Sequence, residues 1–171
     1  MVKKDNPMKA IKIAKITLNI GAGKNEEHLK KGLVLLQKLS PNPPVKTITK
    51  KRIPGWGLRP GLAIGCKVTI RKDTTKLLLR LLAAKGKKIS SSNFDNYGNF
   101  AFGIPEYIDI VGLEYDPELK ILGLEVAVTL ERPGYRVKTR HLKPSEVGGT
   151  HRLNQEEAIG FVKSLGVEVS S

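Results

Sequence analysis

From Val45 to Lys72 the chain reads VKTITKKRIPGWGLRPGLAIGCKVTIRK, in which Lys46, Lys50, Lys51, Arg52, Arg59, Lys67, Arg71 and Lys72 stand without an acid. Side chains of this kind hold phosphates rather than break bonds, because ammonium and guanidinium groups supply charge and N–H donors but no acceptor or nucleophile at neutral pH. A solvated face ordinarily mixes both signs, so a one-sign ribbon of this length points to a polyanion. The other chemistry-bearing residues are arranged less tellingly. His28, His141 and His151 lack metal-ligand spacing, and neither a metal nor another cofactor is expected. Glu106, Asp109, Glu114, Asp116 and Glu118 are spread over a helix-like piece and a Tyr115-Asp116-Pro117 turn without a nearby histidine, which suits a solvated acidic rim better than acid–base work. Gly21-Ala22-Gly23-Lys24 at a helix start resembles a phosphate loop. A Walker loop needs four residues between its glycines and Ser or Thr after the lysine, whereas here one residue intervenes and Asn25 follows. Nucleotide hydrolysis is therefore set aside; a tight turn, with a polynucleotide phosphate near Lys24, is retained.

Composition narrows the partner further. The 171 residues carry 30 Lys or Arg against 16 Asp or Glu, a formal charge of +14, and 40% are hydrophobic, enough to bury one core as a single domain over 1–171. Sixteen Lys or Arg and the lone acid Asp73 fall between His28 and Phe94; the remaining fourteen basic and fifteen acidic residues nearly cancel. The whole excess sits on one segment. No hydrophobic run approaches the roughly 18 residues of a spanning helix and no secretory core follows the start, so no membrane association is expected. Cys66, alone, fits a reduced cytosolic core position and permits no internal disulfide.

The elements that must position the cations follow from periodicity. Residues 1–7 form a polar lead, expected to be flexible. Lys9 to Ile20 reads as a strand whose inward parity slips once, from Ile11 and Ile13 to Ile16, Leu18 and Ile20, which predicts a bulge near Ala14 and turns Asn19 away from the core. Asn25 caps a helix with Leu29, Leu33, Leu36 and Leu39 on its buried stripe. After the rigid link Ser40-Pro41-Asn42-Pro43-Pro44 come two strands, VKTIT and IGCKVTI, around a tip at 52–61 whose glycines and prolines exclude regular structure. In the second strand Ile64, Cys66, Val68 and Ile70 form an oily back, and Gly65, Lys67, Thr69 and Arg71 a cationic front. Trp56, the only tryptophan, is either a buried anchor or, beside Arg52 and Arg59, a platform for a base or ribose.

Asp73 and Thr74 then cap and start a helix that buries Leu77, Leu78, Leu81 and Leu82 and ends at Gly86. Lys85 to Phe102 reads as loop at first, with Ser90, Ser91, Ser92 and Asn93 either donating to phosphates or merely polar, then as a turn at Asp95–Asn99 and a short strand from Phe100. Ile121 to Leu130 is a strand, 132–153 a basic C-terminal extension, and Asn154 with Glu157 a capping box that opens the last helix. The order strand, helix, strand, strand, helix, strand, strand, helix indicates an α+β fold. Its mostly antiparallel or mixed sheet has helices packed on one face, and the other face, with its loops, is left open for the polyanion.

ITLNIGAG, VKTITKK leading to GLRPGLAIGCKVTIR, and NFDNYGNFAFGIPEYI followed by YDPELKILGLEV occur in the order and spacing of a known family. Over Met8 to Leu130 the chain resembles ribosomal large-subunit protein five, the 5S rRNA-binding family; the tail, RPGYRVKTR through HRLNQEEAIGFV, is similar to its archaeal and eukaryotic branch, which suggests an archaeal type. The resemblance implies a structural constituent of the large ribosomal subunit, cytoplasmic and not an enzyme. By position it assigns RNA contacts to Asn19, Asn42 and Thr69, and gives the loop from Arg52 to Gly61, with Trp56 and Arg59, to the elbow of the peptidyl-site tRNA. Bacterial relatives often carry Gln at the position of Asn42 and Phe at that of Trp56. Implied partners are 5S rRNA, large-subunit rRNA, that tRNA, and neighbouring ribosomal proteins of both subunits; no homo-oligomer is expected.

Lys46, Lys50, Lys51, Lys67 and Arg71 would then neutralise phosphates, with Thr47 among the rRNA-binding residues, while Asn19, Asn42 and Thr69 supply directional hydrogen bonds. Two other classes compete. A stand-alone RNA-binding chaperone would share the basic face without preferring 5S RNA, and an RNA-modifying enzyme would need a cofactor loop or a positioned base, which these residues do not supply.

Overall fold

The computed structural model describes residues 6–170. Residues 1–5 of the expected lead lie outside the described residues; Asn6 caps a 3-10 turn over Pro7–Lys9, its Oδ1 accepting the Met8 N–H at 3.0 Å. There follow β1 (Lys12–Gly21), α1 (Glu26–Leu39), β2 (Val45–Ile48), β3 (Ala63–Ile70), α2 (Thr74–Ala84), β4 (Lys88–Ser90), β5 (Phe100–Ile104), β6 (Leu124–Glu131), the single turn α3 (Arg136–Thr139), α4 (Gln155–Ser164) and β7 (Glu168–Ser170). Five strands make one antiparallel sheet in the order β2-β3-β1-β6-β5, and β4 and β7 pair in parallel apart from it. The class is α+β, as the element order implied.

Strand β1 is the centre of the sheet, and its parity decides what faces where. Its register against β6 shifts between Ile13 and Lys15, so the extra residue sits at Ala14, where the pattern demanded it. Beyond that point Ile16, Leu18 and Ile20 point into the core with Cys66, Val68 and Ile70 of β3, Val126 and Val128 of β6, and Phe100 and Phe102 of β5. Helix α1 packs on β3 and β1, and α2 on β1. The approach of α1 is close: a Cβ at Gly32 would stand 2.9 Å from the Cys66 Sγ and 3.3 Å from an Ile20 methyl. Asn25 caps α1 with its Oδ1, which accepts from the N–H groups of Glu27 and His28.

Four local expectations need correction. Asp73 stands at the start of α2 but makes no capping hydrogen bond; its backbone is left-handed, at φ 51°, which turns the carboxylate away from the first helical N–H groups. The early part of Lys85–Phe102 is not all loop, because Lys88–Ser90 forms β4, whose partner is a three-residue strand following Gly166 that the pattern also concealed. Three residues are too few to display a period. The tip, too, has order: Ile53 and Leu58 exchange both backbone hydrogen bonds, at 3.1 and 3.0 Å, around a 3-10 turn at Pro54–Trp56, with Gly57 left-handed at φ 59°. And the second sheet face is not bare throughout. Residues 132–153 fold back over its corner at Thr129 and Glu131, enclosing a cavity of about 430 Å³ with Tyr135, Lys138 and Arg152.

That return is held by a buried charge. Arg132, 8% exposed, donates from Nη2 to the Glu157 Oε1 at 2.6 Å, while the Glu157 Oε2 accepts the Asn154 N–H and completes the capping box of α4. Tyr135 adds a polar pin, its hydroxyl accepting the Leu153 N–H at 3.1 Å. Glu157→Ala strands the guanidinium and removes the cap together. It is expected to cost roughly 3 kcal/mol in urea unfolding, the low end for a broken buried pair because Glu157 is itself partly exposed, with Glu157→Gln losing less.

Burial pushes the Cys66 thiol up to about 11. In the unfolded chain the thiol ionises earlier, near 9, so the contribution of the buried thiol is complete below that pH and is lost as pH rises toward 11. Cys66 is therefore expected to resist an aromatic disulfide reagent at pH 8 until denaturant is added. Rapid labelling of the native protein would refute the burial.

Candidate nucleic-acid interface

The face of the sheet turned away from the helices is built from the alternate residues of the strands just described. Directly opposed residues share a face, so one row crosses all five strands as Val45, Lys67, Asn19, Glu125 and Gly103. The next contains Thr69, Thr17, Ala127 and Ala101, and beyond it Lys15 stands opposite Thr129. Small and hydroxyl side chains leave this surface low, with lysines rising from it. Gly65 is required where β2, β3 and the end of β1 meet, since a Cβ there would press to 2.6 Å from the Ile20 carbonyl oxygen and 3.1 Å from the Thr47 Oγ1.

The candidate residues divide into three groups. Asn19, Thr47, Lys67 and Thr69 lie together on this face. Lys50, Lys51, Arg52, Trp56 and Arg59 cluster at the tip-ward end of β2 and β3, where Thr49 N–H donates to Leu62 O and Gly61 N–H to Thr49 O, extending the hairpin past the strands. Asn42 and Arg71 stand at the other end of β3, roughly 25 Å away by strand rise. Lys46 belongs to none of them: it opposes Cys66 and so points to the helix side of the edge strand, away from Lys67. The cationic front predicted for this hairpin therefore lacks Lys46, because β2 alternates like any strand.

Partners explain which polar groups remain open. Ion pairs among the described residues join Lys38 to Asp116, Lys88 to Glu168, Arg132 to Glu157 and Arg152 to Glu146; none involves a cation of the open face or the tip. The expected acidic rim is correspondingly not all solvated. The Lys38 ammonium, 2.7 Å from Asp116, together with the Glu118 N–H holds that carboxyl below the usual range, and Asp116 raises Lys38 in turn. Asn42 is partly engaged, its Nδ2 donating to the Thr69 carbonyl at 3.0 Å and its own N–H to the Ser40 Oγ at 3.1 Å, so it ties the rigid link to β3. Trp56 is 71% exposed, which excludes the buried-anchor reading; Leu58 is the tip residue that packs inward.

Sequence reasoning passed over several residues of this surface. Lys15 and Thr17 share the parity of Asn19, a signal available once the bulge is placed. Lys24, singled out in the sequence as a candidate phosphate contact, approaches the tip so closely that its ammonium fills the space a Cβ at Gly57 would need, joining the first turn to the cationic hairpin. Glu125 is exposed beside Asn19 and could be found only from strand register. No group of three metal-ligating side chains comes together among the described residues. Flat, low and cationic, with hydrogen-bonding groups between the lysines, this surface can position a phosphate backbone and present donors to ribose or unstacked bases.

Comparison with known proteins gives concordant matches. A family model described as ribosomal protein L5 matches residues 6–59, and one for the C-terminal part of the ribosomal L5 family matches residues 63–161. Large ribosomal subunit protein uL5 of Nanoarchaeum equitans is 51% identical over 168 residues, covering 96% of this chain and 99% of that protein. Its counterpart in Sulfurisphaera tokodaii is 46% identical, covering 92% and 90%, and that of Nitrosopumilus maritimus 43%, covering 97% of each.

Proposed function

The chain belongs to the ribosomal protein L5 family, and from that membership and the character of its open sheet face we propose that it binds 5S rRNA there and helps to anchor that RNA in the large ribosomal subunit. As a member it is a structural, non-enzymatic component of the large subunit of the cytoplasmic ribosome, assembled with ribosomal RNA and ribosomal proteins. The single observation that carries the finer reading is electrostatic. Lys67 and Lys15 on the face, Lys50 and Lys51 beside the tip and Arg71 at the far end make no ion pair among the described residues, so their charges remain for a partner.

Recognition proceeds without chemistry. Lysines and arginines neutralise phosphates and set the register of the RNA, while Asn19 and Thr69 give directional hydrogen bonds that a purely ionic surface lacks. Asn42 acts mainly by fixing the end of β3, and retains its Oδ1 for RNA. Lys46, on the helix side, is expected to contribute little to 5S RNA binding. At the hairpin's end the exposed indole of Trp56, between Arg52 and Arg59, is suited to stack on a nucleotide, and the tip reaches the peptidyl-site tRNA.

Competition between 5S RNA and an unrelated folded RNA of similar size, at two salt concentrations, tests the proposal. Neutralising roughly five phosphates gives a slope of log affinity against log salt of about −3.5 to −4.5. Lys51→Ala should weaken binding and flatten that slope, whereas Asn19→Ala should weaken it at nearly constant slope. A slope near zero, or equal affinity for both RNAs, would rule out specific binding through this face. Trp56→Ala should leave 5S RNA affinity unchanged and weaken tRNA contact in assembled ribosomes; an unaltered tRNA footprint would remove the tip from that role.

A further inference from the structure

In the middle of the open face Glu125 stands as an acid among cations and small residues; Glu131, the other acid of β6 on this side, lies at the corner covered by 132–153. Glu125 belongs to the row Val45, Lys67, Asn19, Glu125, Gly103, exposed, and in no ion pair among the described residues; Lys67 is two strands, or about 10 Å, away. Its one partner is Asn19, whose Nδ2 lies 3.4 Å from Oε2. Beside the pair runs a groove of about 610 Å³, lined by Asn19, Gly21, Lys85, Gly103, Gly123 and Glu125. Two of its three glycines leave room, since at Gly21 and Gly103 an added Cβ would meet nothing within 4 Å; Gly123 is packed against the Pro105 carbonyl.

A carboxylate facing a phosphate chain is repulsive unless N–H donors are brought to it. Among the four bases only guanine carries two adjacent donors, N1–H and the exocyclic N2–H, on its Watson–Crick edge, and their spacing matches the two oxygens of a carboxylate. Adenine and cytosine set an acceptor beside their amino group, and uracil flanks its single N–H with carbonyls. We propose that Glu125, oriented by Asn19, reads the Watson–Crick edge of an unpaired guanine that enters this groove. Lys85 on the groove's rim takes a phosphate of the same strand. The inference rests on the open face being RNA-facing, and adds to it a point of base selection, with Asn19 as the positioning residue.

The sign of one mutational effect separates this from simple repulsion. If Glu125 only repels phosphates, Glu125→Gln and Glu125→Ala tighten RNA binding; if it accepts from guanine, both weaken it by about tenfold to a hundredfold with the salt slope unchanged. Glu125 is exposed, so an unchanged melting temperature is expected for both variants. The probe is fragmented large-subunit ribosomal RNA including 5S RNA, transcribed with a fraction of its guanosines replaced by inosine, which lacks the N2 amino group. The full-length protein should reject fragments carrying inosine at one or a few defined positions, and Glu125→Gln should accept them. Tighter or unchanged binding by the variants, no inosine-sensitive position, or the same positions rejected by Glu125→Gln would each overturn the assignment. Retention of 5S RNA no better than of the other fragments would refute the 5S reading, while an inosine-sensitive position on the retained fragments that Glu125→Gln no longer distinguishes would still support the Glu125 assignment.

Discussion

The structure depends on the register of one strand. β1 pairs on both sides, and its alternate residues separate the hydrophobic core from the open face of the sheet. A slip of one residue would bring Lys15, Thr17 and Asn19 under the helices and turn Ile16, Leu18 and Ile20 out, so the bulge at Ala14 is a necessity of the sequence. It lets Ile13 and Ile16 serve the same interior despite opposite parity. Gly32 and Gly65 protect the same register from either side, one by admitting α1 against Cys66 and the other by admitting the Ile20 carbonyl.

Charge is sorted by the same architecture. Some of the cations of the basic segment are taken up internally: Lys38 holds Asp116, and Arg80 donates to the Val111 carbonyl, so two helical residues fasten the acidic 106–121 segment against the helix layer. Tyr107 secures that segment from within, buried at 1% exposure with its hydroxyl accepting the Asp116 N–H. Asp116 thus neutralises one cation of the helix layer, whereas the lysines of the sheet side form no ion pair among the described residues.

Much of this was legible without coordinates. The bulge, the caps at Asn25 and Asn154, the oily parity of β3 and the antiparallel character follow from residue type and period, because each is a local signal repeated over several residues. The site was legible only as a list. Which cations share a face is a property of register between strands, and register put Lys46 on the wrong side for the RNA reading and Glu125 at its centre. Short elements escaped for a different reason: β4 and β7 are stabilised by each other and carry no period of their own. The left-handed Asp73 shows the complementary failure, a favourable capping residue whose backbone conformation prevents it from capping.

The β4–β7 pair also bears on how the chain acquires its shape during synthesis. Lys88–Ser90 can find its neighbour only when Glu168–Ser170 arrives, some eighty residues later in the chain. Until then the connection between α2 and β5 has an unclosed strand edge, while the five-stranded sheet, complete by Glu131, has every partner it needs. Assembly in two stages follows, the five-stranded sheet maturing first and the β4–β7 seam last, so the open face is complete before the end of the chain has docked.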